Sequence, residues 1–280
     1  MGLVQLVALS TVWVAGEDSQ HFLGMANDFR RRHGLAELKL AQSMSQMAAS
    51  HARFMSSNNF LTHIQDPTMP NFVGRTLADR AEKFQCEGPL GELVGYSSRS
   101  VDDAFYSICD SPVHRAKLLR PGSLSFGAGS EAEFVCVIVG GTPLDQPVVS
   151  PPKDSTNVKT QWSSAKDFAG TQSGPDSLLC GYPAVCVLPA ITGVDGLNVK
   201  ATMASEGKPG LDVKVLGPHN SPYFSDAVAI VPLAPLSGET RYTVTLDVTW
   251  SGQGAYSTKW SFTTGKPATT TTTKKKRKLD

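Results

Sequence analysis

The 280 residues contain no run of 18 apolar residues, so the sequence offers no membrane-spanning helix. Charge is sparse. Asp, Glu, Lys and Arg make up 18% of the chain, against about a quarter in an average protein, and the net charge is only +1. Lys274, Lys275, Lys276, Arg277 and Lys278 with Asp280 carry +4, which leaves −3 on everything before them. That mildly acidic body excludes a nucleic-acid-binding core, which needs a basic surface. Neither G-x-S-x-G, H-E-x-x-H nor a glycine-rich phosphate loop occurs, so no nucleophile or nucleotide motif points to an enzyme. The five cysteines (Cys86, Cys109, Cys136, Cys180, Cys186) form no C-x-x-C pair, which removes a zinc ribbon and a thioredoxin-like site. What is present is a 40% hydrophobic chain, long enough to bury the cores of two domains.

No Lys or Arg precedes Arg30, yet residues 3–14 form an apolar run broken only by Gln5, Ser10 and Thr11. The run ends in Val14-Ala15-Gly16 before Glu17-Asp18, which predicts a signal peptide over 1–16 and secretion. In an oxidising compartment Cys180 and Cys186 are near enough in sequence to close a small loop. The other three cysteines leave one odd thiol.

The first half reads as helical. Phe22, Met25, Ala26 and Phe29 recur at helical spacing up to His33-Gly34, where Gly34 suits a C-cap. Leu40, Met44, Met47, Ala48, His51, Phe54 and Met55 keep one face of a second helix. Residues 74–83 and 101–108 are shorter helical stretches. Residues 134–139 form a buried strand bounded by Gly140-Gly141. Helices followed by strands predict an α+β domain over 17–142.

Residues 143–178, with Pro143, Pro147, Pro151 and Pro152 among many Ser, Thr and Asp, read as a linker. The period then changes to two. Tyr242, Val244, Leu246, Val248 and Trp250 share one face, and Thr243, Thr245, Asp247 and Thr249 the other. The turn 251–254 leads into a hairpin partner carrying Tyr256, Thr258, Trp260 and Phe262, so 179–265 reads as an all-β sandwich. The tail, 266–280, is Thr-rich and then basic. It resembles a short nuclear localisation signal but reads more simply as a disordered arm attracted to anionic surfaces.

Several spaced motifs carry a resemblance. They are Met25-x-Asn27-x-x-Arg30-x-x-x-Gly34-Leu35-x-x-Leu38, Ala48-x-x-His51-Ala52-x-x-Met55, Phe60-x-x-His63, Gly91-Glu92, Ser111-Pro112-Val113-His114-Arg115-Ala116-x-Leu118-Leu119 and Phe126-Gly127-x-Gly129. Together they resemble the bacterial form of the CAP superfamily, the SCP/PR-1-like domain of cysteine-rich secretory proteins. The resemblance implies an α–β–α sandwich whose cleft brings His63, Glu92 and His114 together as ligands for Zn²⁺ or another divalent cation. Two imidazoles and a carboxylate would leave one position open. The Trp-Ser-Phe-Thr-Thr ending at Thr264 resembles bacterial Ig-like modules, which act as spacers or adhesive surfaces.

The chain departs from the CAP pattern where Gly91-Glu92 is followed by Leu93-Val94 and not Asn-Ile. It departs again where Ile108 replaces a Trp and Ser111 replaces a second glutamate, leaving Asp110 as a weak substitute. Ser111 and Pro112 suit a helix start, and His51 reads as a helix-packing residue. The leading expectation is a secreted, non-enzymatic binder of a lipid, sterol or other extracellular ligand. The alternatives are a metal-dependent or serine-type hydrolase using the same cleft, and an adhesin.

Overall fold

The computed structural model describes residues 15–142, 144, 146–163, 179–189, 196–250 and 254–267. The expected signal peptide, apart from its last two residues, and the basic cluster of the tail lie outside the described residues. The chain divides into two compact units. The first takes in 1–29, 36–108 and 123–142, and the second 30–35, 109–122 and 143–280. Residues 109–122, which precede the expected boundary near residue 143, count with the C-terminal residues.

Helix α1 (Ala15–Arg32) buries Phe22, Leu23 and Ala26 and stops at Gly34, which takes φ +70. Gly34 lets the chain turn while His33 and Leu35 return their N–H groups to the Arg30 carbonyl. After the two-residue strand β1 (Lys39–Leu40), α2 (Gln42–Asn58) buries Met44, Met47, Ala48, His51, Ala52, Phe54 and Met55 along one face. Its C-cap, Asn59, lies in the left-handed region at φ 47 and donates its N–H to Met55 and Ser56. Helix α3 (Leu77–Lys83) starts from a capping box in which Thr76 and Asp79 satisfy each other's N–H groups. Strand β2 (Leu90–Tyr96) and helix α4 (Val101–Asp110) follow. Helix α5 (Pro112–Leu118) begins as its sequence predicts, with Ser111 accepting from the His114 N–H and Pro112 at the first position.

Strands β3 (Ser123–Glu131) and β4 (Phe134–Gly141) complete a sheet of order β1-β3-β4-β2, antiparallel except for β1 beside β3. Helix α2 lies directly on β3 and β4. A Cβ on Gly127 would sit 2.3 Å from the backbone of Met44 and Ser45, and one on Gly129 would sit 2.5 Å from the Ala49 Cα. The Gly127-x-Gly129 motif is therefore what lets the helix approach the sheet.

The second unit holds β5 (Val148–Ser150), β6 (Gln161–Ser163), β7 (Leu179–Gly181), β8 (Ala184–Val187), β9 (Asn198–Ser205), β10 (Val213–Leu216), β11 (Ala227–Pro232), β12 (Arg241–Trp250) and β13 (Gly254–Thr263). They form sheets of order β10-β11-β8-β5, β13-β12-β9 and β6-β7. The predicted alternation in β12 is seen: Tyr242, Val244, Leu246 and Val248 are buried, and Asp247 and Thr249 are exposed. The β12–β13 hairpin closes with Trp250 opposite Gly254. Segment 143–178, expected as a linker, contributes β5 and β6, which pair with β8 and β7. Strands of three residues are too short to show a period in sequence, and their pairing supplies the order. Helix α5 packs on β8 within this unit. No disulfide joins Cys180 on β7 to Cys186 on β8, so the expected small loop is not closed by one here.

Candidate functional site

The middle of β2 points Glu92 inward, opposite Ile138 of β4, and only 3% of its side chain is exposed. A bare carboxylate at that depth is strongly disfavoured, so its partners define the site. The Arg80 guanidinium, fully buried on α3, donates to Glu92 Oε2 at 2.5 Å. The His63 imidazole, 49% exposed, places Nδ1 2.9 Å from Glu92 Oε1. Cys136 on β4 brings its Sγ to 3.9 Å from Oε2. Burial alone would raise the Glu92 pKa. The hydrogen bond from His63 and the nearby positive charge of Arg80 outweigh it, so the carboxyl is held below its ordinary range. The Cys136 thiol is pushed far up by burial and then by the Glu92 charge, which leaves it a neutral thiol.

The loop between α2 and α3 is anchored to this ion pair. Arg80 donates to the carbonyls of Gly74 at 3.2 Å, Arg75 at 3.3 Å and His63 at 3.2 Å; its Nε has no partner among the described residues. Gln65, fully buried, accepts from the Val73 N–H at 2.8 Å through Oε1 and donates through Nε2 to His51 Nδ1 at 2.8 Å. His51 in turn donates from Nε2 to the Thr62 carbonyl at 2.8 Å. These partners fix His51 as the neutral Nε2–H tautomer. Burial lowers its pKa to about 4, against the raising effect of Glu92 3.7 Å away.

Of the expected ligand set, His63 and Glu92 meet in the first unit. His114 stands on the first turn of α5 in the second unit, its N–H on Ser111 Oγ at 3.4 Å. Asp110, the weak substitute, is engaged in the second unit by Lys159 and by the Tyr182 hydroxyl at 3.4 Å. A divalent cation does not suit Glu92 while Arg80 is seated. One carboxylate oxygen already faces a full positive charge and the other accepts from His63 Nδ1. Among the described residues no group of three or more His, Cys, Asp and Glu side chains is arranged to hold a metal ion. The residues that the sequence reading missed are Arg80 and Gln65, together with the second role of His51. No local pattern marks Arg80 or Gln65, because the partners of each are brought close only by folding.

With this geometry in place, the chain can be set beside known proteins. Residues 23–133 match the family model described as CAP, Cysteine-rich secretory protein family, and the match supports a CAP domain over that stretch. The chain is 26% identical over 116 residues to the "Uncharacterized membrane protein YlbC" of Bacillus subtilis (strain 168), covering 41% of this chain. It spans only 32% of that relative's length. Among solved structures it is similar to an extracellular protein containing a SCP domain from Bacillus anthracis str. Ames, with TM-score 0.41 and 25% identity, over 45% of this chain and 40% of that one. A cysteine-rich secretory protein from Staphylococcus aureus subsp. aureus Mu50 gives TM-score 0.35 and 20% identity, over 45% and 41% of the two chains. No described helix is long and apolar enough to cross a membrane.

Proposed function

We propose that the CAP domain is a secreted, non-enzymatic binding module for an extracellular ligand with an apolar body, of the lipid or sterol class. In this reading the C-terminal strands form an Ig-like sandwich that presents it. One observation carries the reading. The loop that bears His63 also bears Phe60, Ile64, Met69 and Phe72, all exposed, with Phe60 at 56% and Ile64 at 49%. Large apolar side chains are held out in water by a loop whose own anchors, the side chains of Gln65 and Arg80, are buried. Such exposure in an ordered loop suits a surface that is covered on binding. The half-exposed His63 beside it supplies a polar group to orient the ligand head.

The test is binding of a fluorescent sterol and a fluorescent fatty acid to the full chain and to a Phe60→Ser/Ile64→Ser variant. Covering two such side chains is worth ~1.5–3 kcal/mol each, so the variant weakens binding roughly tenfold or more. Equal affinity in both proteins would end the proposal.

The hydrolase reading has its own support in the His63–Glu92 pair, since a carboxylate on Nδ1 is how a general-base imidazole is oriented. It predicts an esterase or peptidase activity that His63→Ala abolishes. The metal reading, with His63, Glu92 and His114 as ligands, requires Glu92 to give up Arg80 first.

A further inference from the structure

Four oxygen atoms converge on the Arg80 guanidinium: the carbonyls of His63, Gly74 and Arg75, and Oε2 of Glu92. Three belong to the two arms of one loop and the fourth to a strand, so the guanidinium adds a charged tie between segments that Gln65 and the His63 ring also join. All four are hard acceptors, and one is anionic. That is the donor chemistry by which proteins gather loop carbonyls and a carboxylate around Ca²⁺. Here a side chain fixed on α3 supplies the positive charge.

We propose that the Arg80 guanidinium is a built-in cation occupying an oxygen-lined cage, so that the native chain holds no divalent ion through Glu92. Removing the guanidinium converts the same oxygens into a site for a hard divalent cation. The cage lies around the buried Arg80 side chain, apart from the exposed apolar side chains of the same loop, and stands whether or not an apolar ligand binds there. It also explains how the loop keeps its shape without an ion: the charge arrives covalently attached and cannot be lost to a chelator or to acid. His63, whose carbonyl is among the four acceptors and whose ring bonds Oε1, is held from both ends by the same pair.

The experiment uses the full chain, freed of metal by chelation, and reads thermal unfolding with and without millimolar Ca²⁺, and separately with Zn²⁺. The wild type is expected to show no shift with either ion. Arg80→Ala is expected to melt lower and to recover part of the loss with Ca²⁺, since an ion that binds only the folded state stabilises it by mass action. Recovery disappears in Arg80→Ala/Glu92→Gln, and Arg80→Lys, which keeps the charge, responds to Ca²⁺ less than Arg80→Ala does. If Arg80→Ala does not fold on its own, its refolding yield with and without Ca²⁺ gives the same reading, and no gain overturns the proposal. A wild-type shift with either ion that His63→Asn removes would also overturn it, because an ion would then share the site with Arg80 in place.

Discussion

The Arg80 guanidinium and the Glu92 carboxylate meet at 2.5 Å with both side chains withdrawn from water. They lie twelve positions apart, on a seven-residue helix and on an edge strand of the first sheet. Taking two charges out of water costs several kcal/mol each, and their attraction offsets this only while both are present. Removing one partner is therefore far worse than removing both. Arg80→Leu should lower stability by ~3–5 kcal/mol, and Arg80→Leu/Glu92→Leu should recover much of that. Chemical denaturation of the two single variants and the double variant checks it. A double variant as unstable as the sum of the singles would mean that the pair is not a unit.

The pH dependence follows from His51. Its folded pKa of about 4 lies below the ordinary 6.5 because burial disfavours the imidazolium. Between those values the unfolded chain binds a proton that the folded chain refuses, so stability falls as the pH falls through that window. The full effect is on the order of 3 kcal/mol, and Glu92, with its depressed pKa, adds a further loss at lower pH. Urea denaturation at pH 7, 5.5 and 4.5 should show the decline, and His51→Gln should flatten it. An unchanged slope in that variant would place the acid sensitivity elsewhere.

The features readable in sequence were those set by neighbours in the chain. Gly34 ends a helix, Ser111 and Pro112 start one, and the alternation from Tyr242 to Val248 marks a sheet face, because each depends on local periods or caps. Glu92 and His63 were also reachable, through their motifs. Arg80 and Gln65 were not, since each acts through partners brought close only by folding: Gln65 reaches back to His51, and Arg80 reaches forward to β2. Strands β5 and β6 escaped for the same reason. Three residues are too few to show a period, and only the pairing with β8 and β7 makes them strands.

Close approach of α2 to β3 gives a sharp steric prediction. Gly129→Ala must move a helix backbone that lies 2.5 Å from the new methyl group, and Gly127→Ala one that lies 2.3 Å away. Neither neighbour is a flexible side-chain end. Each substitution should cost ~1–3 kcal/mol, the range for overpacking, measured as a fall in the denaturation midpoint. Gly24→Ala, where a Cβ meets nothing within 4 Å, is the control and should leave stability unchanged or slightly raised, as expected for Gly to Ala within a helix.

The last prediction concerns where the chain can be cut. Arg115 is fully buried on α5, inside the stretch that matches the CAP model, yet its guanidinium depends on C-terminal residues of the second unit. It sits 4.5 Å from the centroid of the Tyr182 ring, and it donates to Ser150 Oγ at 3.4 Å and to the Asp110 carbonyl at 3.1 Å. Arg120 pairs with Asp226 at 2.7 Å in the same unit. A fragment ending at residue 142 keeps α5 but loses Tyr182, Ser150 and Asp226 together. It strips a buried cation of its ring and one acceptor, a loss of roughly 2–4 kcal/mol at that side chain alone, and it uncovers the apolar face of α5 where Val113, Ala116 and Leu118 are buried. The fragment 17–142 should therefore melt below the full chain and expose surface that binds an apolar dye, while Tyr182→Ala in the full chain shifts the same transition part of the way. If the fragment melts as the full chain does, α5 is held by the first unit and the β-strands are dispensable to it.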